Sequence, residues 1–438
     1  IQAAKDKYGA NSPNIALIEN SFAEVGIGAG NGTTQPPDYG TNPGEDFIIF
    51  TDPNYNQIKL GNIASGSVNT INHNAGLASK ISVSDDGTLA VFVGKDKAMY
   101  YIQFDWNAGN YNLGVLDNTN QWRNVAISKD GLRLAALLDE DQPYIYVFDL
   151  AGNSNQAFKL YNPTTGSGGI FTSDVEYADA MEFDHSGEYL MYDALSTLGF
   201  FGAEFWDIGF IYVWNKSAKT YGDGTVEKLF SSLPDGVNVG NAVFSKNSPN
   251  VIAFDYFENG GSTYQLLGGN IETGQLNVIF ENNVLSYPCF SKDDKTIIFN
   301  AQDNNGTDVI AAQALKADKI SPTGDPFIII DNSTLGTWFA TGKRILNNVK
   351  SAESMGNSIS INPNPTHSDV ILHWTSTKQE KAVINIYNLF GQKISTLEMD
   401  LNPGLNERKI NTDHFIPGVY FIEMVKNNQR ETLKLVKN

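Results

Sequence analysis

A short motif recurs five times along this chain of 438 residues. In each copy an apolar residue precedes Ser or Asp, two polar residues and a turn residue follow, and an apolar strand comes next. The Ser or Asp of the five copies, called the anchor here, is Ser84, Ser128, Asp184, Ser245 and Ser291. Asp-Gly and related pairs permit the positive φ of a tight turn, so each copy predicts a β-hairpin. The anchors lie 44, 56, 61 and 46 residues apart, which leaves room for two hairpins per repeat. Such repeats predict four-stranded blades arranged radially as a β-propeller.

The rest of each repeat supplies the second hairpin. Its strands are expected at 99–104, 144–148 and 211–214, with a turn region at 269–274. A further blade without the anchor motif is expected to include residues 46–50 and 57–60, which gives six blades. Seven is the alternative if residues 327–330 and 14–18 join as separate strands. The predicted fold class is therefore all-β, and the 40 glycines and 11% aromatic residues suit short strands joined by tight turns.

Over about residues 40–315, the repeats resemble the WD40-like, TolB-type propeller family, whose blades carry a Phe-Ser-x-Asp-Gly turn. The copy at Ser245 departs from that pattern, because Asn-Ser-Pro stands where Asp-Gly is expected. The resemblance implies the fold and no single function. Such blades occur in periplasmic scaffolds, in peptidase gating domains and in surface binding proteins.

The character of the sequence changes after about residue 340. Residues 341–357 are polar and predict a linker, whereas apolar and polar residues alternate through 358–438. About seven short strands in the latter segment predict a small immunoglobulin-like β-sandwich. The expected organisation is an N-terminal segment at 1–40, which could be the tail of a preceding domain, a propeller at 41–340, the linker, and the sandwich.

The C-terminal segment carries several ordered motifs. They are Pro-Asn-Pro, an Ile-Tyr-Asn-x-x-Gly strand, Gly-x-Tyr-Phe, and a terminal Lys-Leu-Val-Lys. The residues that match are Pro363, Asn364, Pro365, Gly391, Gly418, Tyr420, Phe421, Lys434, Leu435, Val436 and Lys437. With these motifs the segment resembles the type A C-terminal sorting domain of the type IX secretion system of Bacteroidetes.

This resemblance implies a route and a set of partners. The chain would cross the periplasm and pass the type IX outer-membrane translocon. A PorV-type shuttle barrel would capture the sorting domain, and a sortase-like peptidase would usually remove it. The expected destination is the medium or the cell surface, with anchoring at the outer membrane.

The charge distribution excludes one class of partner. The net charge is −19, yet residues 356–438 contain nine Lys and Arg against eight Asp and Glu, which leaves about −20 on the rest. A phosphate backbone requires a basic face, so no nucleic-acid partner is expected. The one cysteine, Cys289, cannot form an intrachain disulfide and is expected to be a small core residue.

No catalytic residue is predicted. The sequence has neither the Gly-x-Ser-x-Gly elbow of serine hydrolases nor a His-Glu-x-x-His zinc motif, and its five histidines show no metal-ligand spacing. A non-enzymatic module that binds a protein or a glycan is therefore favoured. The alternatives are the propeller of a secreted hydrolase or lyase, and an accessory part of a larger surface enzyme.

Two weaker features remain as candidate sites. Asp303, Asn305 and Asp308 place oxygen ligands around a glycine, as calcium loops do, although a plain hairpin turn explains them better. No other cofactor is expected. Phe200, Phe201, Phe205 and Trp206 lie in the longest repeat, where burial in the core is favoured and a ligand-binding patch on a loop is the alternative.

Overall fold

The computed structural model describes residues 38–163, 174–198, 203–230, 233–344, 346, 360–362, 366–376, 378–388, 393–402, 404–416, 418–426 and 429–437. The chain divides into two compact units, Ile1–Asn348 and Val349–Asn438. The described residues form strands and turns. None of them belongs to a helix of the length and apolar character that a membrane crossing requires.

The strands of the first unit are numbered here in chain order. They are β1 (Asp46–Thr51), β2 (Ile58–Asn62), β3 (Val68–Ile71), β4 (Ser82–Val83), β5 (Leu89–Val93), β6 (Met99–Asp105), β7 (Asn110–Asp117), β8 (Trp122–Ile127), β9 (Arg133–Leu138), β10 (Tyr144–Asp149), β11 (Ser154–Lys159), β12 (Asp174–Phe183), β13 (Tyr189–Leu198), β14 (Ala203–Tyr212), β15 (Trp214–Asn215), β16 (Thr220–Tyr221), β17 (Val226–Lys228), β18 (Val237–Phe244), β19 (Val251–Glu258), β20 (Tyr264–Asn270), β21 (Gln275–Asn282), β22 (Cys289–Phe290), β23 (Thr296–Gln302), β24 (Asp308–Ala314), β25 (Phe327–Ile330) and β26 (Thr334–Ala340).

The described strands of this unit form six four-stranded antiparallel sheets, called blades 1 to 6 here. Blades 2, 3, 5 and 6 are β4–β7, β8–β11, β18–β21 and β22–β25 in sequence order, and blade 4 is β12-β13-β14-β17 with the small hairpin β15-β16 as an additional sheet. Blade 1 has the order β26-β1-β2-β3. Its innermost strand therefore comes from the C-terminal end of the propeller and pairs with β1 to close the ring.

The anchor residue explains why each blade turns where it does. Ser84 Oγ accepts the N–H of Leu89 at 3.1 Å, and Gly87, at φ 66°, donates its N–H to the carbonyl of Ser84. A short side-chain oxygen at this position satisfies the backbone of the turn, and glycine provides the left-handed conformation. The same two contacts recur at Ser128, Asp184 and Ser291.

The departing copy in blade 5 obtains its acceptor from its neighbour. Asp294 of blade 6 accepts hydrogen bonds from Ser245 Oγ at 2.9 Å and from the N–H groups of Lys246 and Asn247 at 2.6 and 2.9 Å. The Asp294 side chain is fully buried and also forms an ion pair with Lys319. The missing Asp-Gly is thus compensated across a blade boundary.

Apolar clusters join adjacent blades. Between blades 4 and 5, Met191 and Ile208 pack with Val239 and Phe254, and all four are buried. Burial of a side chain the size of Phe254 stabilises a fold by roughly 1.5–3 kcal/mol relative to exposure. Equivalent clusters fill the other boundaries, including the closure between blades 6 and 1.

The second unit contains seven strands among its described residues. They are β27 (Ser360–Asn362), β28 (Val370–Ser376), β29 (Glu380–Asn388), β30 (Lys393–Leu401), β31 (Gly404–Ile410), β32 (Gly418–Lys426) and β33 (Gln429–Lys437). They form two sheets, β27-β28-β31 and β30-β29-β32-β33. Leu372 and Trp374 of one sheet and Ile384 and Ile422 of the other, all fully buried, share a single core.

The predicted all-β fold, a propeller followed by a small sandwich, is confirmed. Residues 327–330 form β25, the outer strand of blade 6, rather than part of a separate blade. Residues 14–18 lie outside the described residues. The limits proposed for the N-terminal segment and the linker stay predictions.

Candidate functional site

A cavity of about 310 Å³ lies among the innermost strands of the propeller. Alternate residues of a strand face the same side, so each blade presents residues at equivalent distances from its anchor. Six of these residues line the cavity at one level. Each stands four residues before the anchor of its blade, and blade 1, which has no anchor, contributes the equivalent residue: Lys80, Asn124, Ala180, Asn241, Tyr287 and Leu335. A second level is formed by residues that stand two residues before the anchor, or at the equivalent place in blade 1: Ser82, Glu182, Val243, Cys289 and Thr337.

The cavity has two ends, which differ in what surrounds them. Because neighbouring strands are antiparallel, the connections between second and third strands, including that of Tyr55, lie at one end, called the loop mouth. The anchor turns lie at the other end, called the turn mouth. Tyr55 and Ala78 line the cavity and are exposed to solvent, so the cavity reaches the surface at the loop mouth.

At the turn mouth, Arg344 is held by four groups. Its guanidinium donates to both oxygens of Asp85 at 2.8 and 2.6 Å, to Asn247 Oδ1, and to the carbonyls of Lys246 and Gly40. The Arg344 side chain is only 8% exposed. Segments 38–44 and 341–344 meet here, beside a small cavity of about 20 Å³. A separate cavity of about 270 Å³, lined in part by Lys129 and Arg344, lies at the same end. The exposed Tyr55 makes the loop mouth an entry for a ligand of the axial cavity.

His185 at the turn mouth is a structural residue. Its ring stacks on Tyr39 with centroids 4.7 Å apart, and Nε2 contacts the carbonyl of Lys246. Burial first, and the nearby Lys129 second, lower the pKa of His185 to about 3. The imidazole is therefore neutral in any physiological medium.

The middle of the cavity contains a repeated inter-blade contact. One side chain in each of blades 2, 4 and 6 accepts an N–H from the innermost strand of the next blade. These pairs are Ser82 with Ile127 at 3.1 Å, Glu182 with Phe244 at 2.7 Å, and Cys289 with Trp338 at 3.2 Å. The buried thiol thus has the position and the contact of a serine hydroxyl.

Three lysines line the cavity around Ser82, Glu182 and Cys289. Lys129 forms an ion pair with Glu182. Burial alone would raise the pKa of Glu182, but Lys129, Lys246 and the N–H of Phe244 outweigh it, and the net pKa is lowered. Glu182 is therefore ionised. Lys246 lines the same cavity, and its Nζ has no hydrogen-bond or ion-pair partner among the described residues.

Lys80 faces this cluster from blade 2. Its Nζ donates to the carbonyls of Tyr287 at 2.9 Å and Pro288 at 2.6 Å. Burial is the main cause that lowers the pKa of Lys80, and Lys246 acts in the same direction, although Cys289 and Glu182 oppose them. For Lys246 the balance is reversed, because the surrounding groups outweigh burial and raise its pKa.

Two carboxyl groups lie nearer the loop mouth. Asp193 of β13 accepts the N–H groups of Ala180 at 2.7 Å and Asn241 at 2.6 Å. Burial, assisted by the charge of Asp179, raises the pKa of Asp193 to about 7. Asp179 lines the cavity, and burial raises its pKa as well, with Arg123 opposing.

From the loop mouth an aromatic row leads outward across blade 4. The Arg123 guanidinium lies 4.1 Å from the centroid of the Tyr177 ring, and Tyr177 meets Trp206 edge to face at 5.6 Å. Arg123 is also paired with Asp141. Arg123 belongs to the cavity wall, so the row connects the cavity with the surface.

This row includes part of the predicted aromatic patch. Phe205 and Trp206 lie on strand β14 and are half-buried, while Phe200 and Phe201 lie outside the described residues. The alternative loop position thus applies to neither Phe205 nor Trp206. Their role in ligand binding stays a prediction.

The predicted calcium loop connects β23 and β24 at the loop mouth. Asp303 Oδ1 accepts the N–H groups of Asn305 and Thr307, each at 2.8 Å, and these bonds lower the pKa of Asp303. Gly306 has φ 76°, as a tight turn requires. Among the described residues, no group of three or more His, Cys, Asp or Glu side chains is arranged to hold a metal ion. Calcium binding by Asp303, Asn305 and Asp308 stays a prediction.

The sorting motif falls on the last strands of the sandwich. Tyr420 and Leu435 belong to the core, and Lys437 Nζ donates to the carbonyl of His367 at 2.9 Å. Gly418, Phe421, Lys434 and Val436 lie on β32 and β33, whose backbones pair along their length. Pro363, Asn364, Pro365 and Gly391 lie outside the described residues.

The residues that sequence reasoning missed are those of the cavity: Lys80, Lys129, Asp179, Glu182, Lys246 and Arg344. Their position in the repeat could have identified them, because five of these six lie within five residues of an anchor. Their residue types alone do not distinguish them from lysines and carboxylates on the surface.

Fold and site together define an exported-type, two-unit protein: a β-propeller with an axial polar cavity, followed by a β-sandwich. Residues 360–438 match the family model of the secretion system C-terminal sorting domain. This domain of the type IX secretion system marks the chain for secretion or for export to the cell surface. No curated protein sequence matches the chain.

Solved structures provide likenesses to the propeller. TolB from Acinetobacter baumannii aligns at 15% identity over 68% of this chain and 67% of its own, with a TM-score of 0.47. A protein of Agrobacterium tumefaciens assigned as TolB aligns at 13% identity over 69% and 99%, with a TM-score of 0.45. An oligogalacturonate lyase in complex with manganese aligns at 9% identity over 66% and 86%, with a TM-score of 0.37. At such scores no functional conclusion follows from them.

Proposed function

We propose that this secreted or cell-surface cargo uses its propeller as a binding module for a protein or glycan ligand, which enters the cavity through the loop mouth. The observation that carries the proposal is the cavity of about 310 Å³, which all six blades line and to which blades 2 to 5 contribute charged and amide side chains. Its volume falls at the lower end of small-molecule sites, about 300–1,000 Å³. It accommodates one side chain or one sugar ring at a time.

The aromatic row supports a ligand that extends beyond the cavity. Trp206 and Tyr177 lie on the outer side of Arg123, and aromatic side chains contribute most of the contact energy at binding surfaces. A chain-like ligand could place one unit in the cavity and the next against this row.

The proposed transport partners are the type IX translocon, a PorV-type shuttle barrel and a sortase-like peptidase. The match of residues 360–438 supports this assignment. Strand β33 supports it physically, since it lies at the edge of its sheet, where a partner can add contacts.

A blocked cavity tests the binding proposal. Ala78 is exposed and lines the loop mouth, so Ala78→Trp would fill the opening without disturbing the core. On arrays of glycans and peptides, the variant should lose at least about tenfold in affinity for any ligand of the wild-type protein. Ala108→Trp, on an exposed turn, is the matched control and should bind normally. If every ligand found binds the blocked variant equally well, the cavity is not the site.

An enzyme is the second candidate, and one observation favours it. Asp179 and Glu182 both line the cavity, yet the pKa of Asp179 is raised and that of Glu182 is lowered. Two carboxyl groups with pKa values moved apart are the pattern of an acid and a base in hydrolases and lyases. Screening polysaccharides and peptides for cleavage tests this. An activity that Asp179→Asn removes would establish the enzyme and displace the binding module.

A further inference from the structure

The interior of the cavity has a surplus of positive charge. The basic side chains that line it are Lys80, Lys129, Lys246 and Arg123, against the two acidic side chains Glu182 and Asp179. The propeller that surrounds this cluster is strongly acidic, since the chain outside residues 356–438 has a net charge of about −20. The local charge is thus opposite in sign to the charge of the unit.

The hydrogen bonds of the cluster leave donors unused. Two of the three N–H bonds of Lys80 are directed at carbonyls, and Lys129 is paired with Glu182. Lys246 is left with all three of its donors free of protein acceptors within the described chain. Burial disfavours this ammonium, but Cys289, Glu182, Asp85 and Asp294 outweigh burial and raise the pKa of Lys246, so the group is charged while its donors lack acceptors. An anion beside it would accept those hydrogen bonds.

Access and shape restrict the anion. Arg344 and its four partners narrow the turn mouth, whereas the loop mouth is open at the exposed Tyr55, so the open path for the anion runs past Tyr55, Asn124 and Tyr287. The cavity wall has amide and hydroxyl groups along that path. A ligand with its acidic group at the tip and hydrogen-bonding groups behind it fits this order.

Resting on the proposed function, we infer that the cavity is the subsite for a carboxylate group, which Lys246 binds together with Lys80 and Lys129. A carboxylate accepts from two or three point-like ammonium groups. The residues of this cluster include no ring of backbone N–H groups, which is a usual partner of phosphate. Two ligand types provide this chemistry: an acidic saccharide and an acidic peptide side chain.

The test compares ligands that differ only in the acidic group. Isothermal titration would use a β-1,4-linked glucuronate tetrasaccharide against cellotetraose, and a Glu-rich pentapeptide against its Gln counterpart. One acidic probe should bind, and its neutral counterpart should bind at least about tenfold more weakly. The saccharide and peptide arms decide between the two sources.

The variant Lys246→Gln removes one charge and keeps a polar side chain that is one atom shorter. It should weaken the acidic probe by at least about tenfold, as expected when a charged hydrogen bond of about 1.5–3 kcal/mol is lost. The matched control is Lys295→Gln, whose side chain is 79% exposed outside the cavity and which changes the net charge equally. A second readout needs no specific ligand: acetate should raise the thermal midpoint of the wild type and of Lys295→Gln more than that of Lys246→Gln.

The outcomes separate this inference from the binding proposal itself. If neutral and acidic probes bind equally, if no acidic probe binds, or if Lys246→Gln has no effect, the carboxylate subsite is overturned. A neutral ligand that Ala78→Trp excludes would still establish the binding module. If ligands bind independently of Ala78→Trp, the module assignment itself fails.

Discussion

Cys289 illustrates how a repeated backbone assigns a role to a single side chain. Its sulfur accepts the N–H of Trp338, just as Ser82 and Glu182 accept one at the same position of their own blades. The sequence predicted a small core residue, and the thiol is 5% exposed. Comparison with the equivalent residues of blades 2 and 4 shows that the Cys289 thiol also accepts a backbone hydrogen bond.

Two substitutions separate packing from hydrogen bonding at this position. Cys289→Ser keeps an acceptor and should change the free energy of unfolding by less than about 1 kcal/mol, whereas Cys289→Ala strands a buried N–H and should cost about 1–3 kcal/mol. Urea unfolding of both variants measures the difference. Equal stability of the two would show that the sulfur acts only by filling space.

Asp193 predicts a pH dependence. Its pKa is raised from 3.8 to about 7, so the folded state holds the proton more tightly than the unfolded state does. The corresponding stability is complete below about pH 4 and is lost as the pH rises through about 7. Between pH 5 and pH 8, the wild type should therefore lose about 2–3 kcal/mol more stability than Asp193→Asn does.

Urea titrations at several pH values measure this slope. Asp105→Asn, on an exposed strand end, is the control and should follow the wild type. A wild-type slope that persists in Asp193→Asn would assign the proton uptake to another group.

The strands and turns show what the sequence specifies locally. The anchor motif predicted four of the five anchor turns, three with a glycine and the fourth with Asp294 in its place, because the contacts that build them lie within five residues of each other. The cavity could not be predicted in this way. Lys246 and Glu182 come together from blades 5 and 4, and Arg344 meets Asp85 across 259 residues of chain. Such contacts depend on ring closure, which no local pattern specifies.

The anchor turn at Ser245 in blade 5 depends on a side chain of the next blade, Asp294. Asp294→Ala would strand the N–H of Lys246, leave the N–H of Asn247 with only its longer bond to Ser245 Oγ, and remove the ion pair with Lys319, so it should destabilise the protein by about 2–4 kcal/mol. Asp293→Ala is the control, because Asp293 serves only its own, more exposed turn, through Ser291 and Lys295. It should cost about 1 kcal/mol or less.

Hydrogen exchange locates the effect. In Asp294→Ala, the amides of Lys246 and Asn247 should exchange faster, although they belong to a different blade. Protection unchanged at these amides would contradict the compensation across the blade boundary.

The whole chain combines two units with separate cores and separate tasks. The propeller core is divided among clusters between blades, while a single cluster that includes Trp374 fills the sandwich. The two units also differ in charge, with about −20 outside residues 356–438 and +1 within them. A unit with its own core can fold without the other, so transport and ligand binding should be separable.

A reporter fused to residues 356–438 should therefore leave a type IX-competent cell, whereas the propeller without these residues should stay in the periplasm. Trp374→Arg places a charge in the fully buried core and should retain the fused reporter inside, because an unfolded sandwich presents no sorting surface. Ile394→Arg adds the same charge at a side chain that is 41% exposed and should leave export intact. Immunoblots of cell and medium fractions measure both. Export of the Trp374→Arg fusion at the control level would show that a linear motif, not the folded sandwich, is what the secretion machinery recognises.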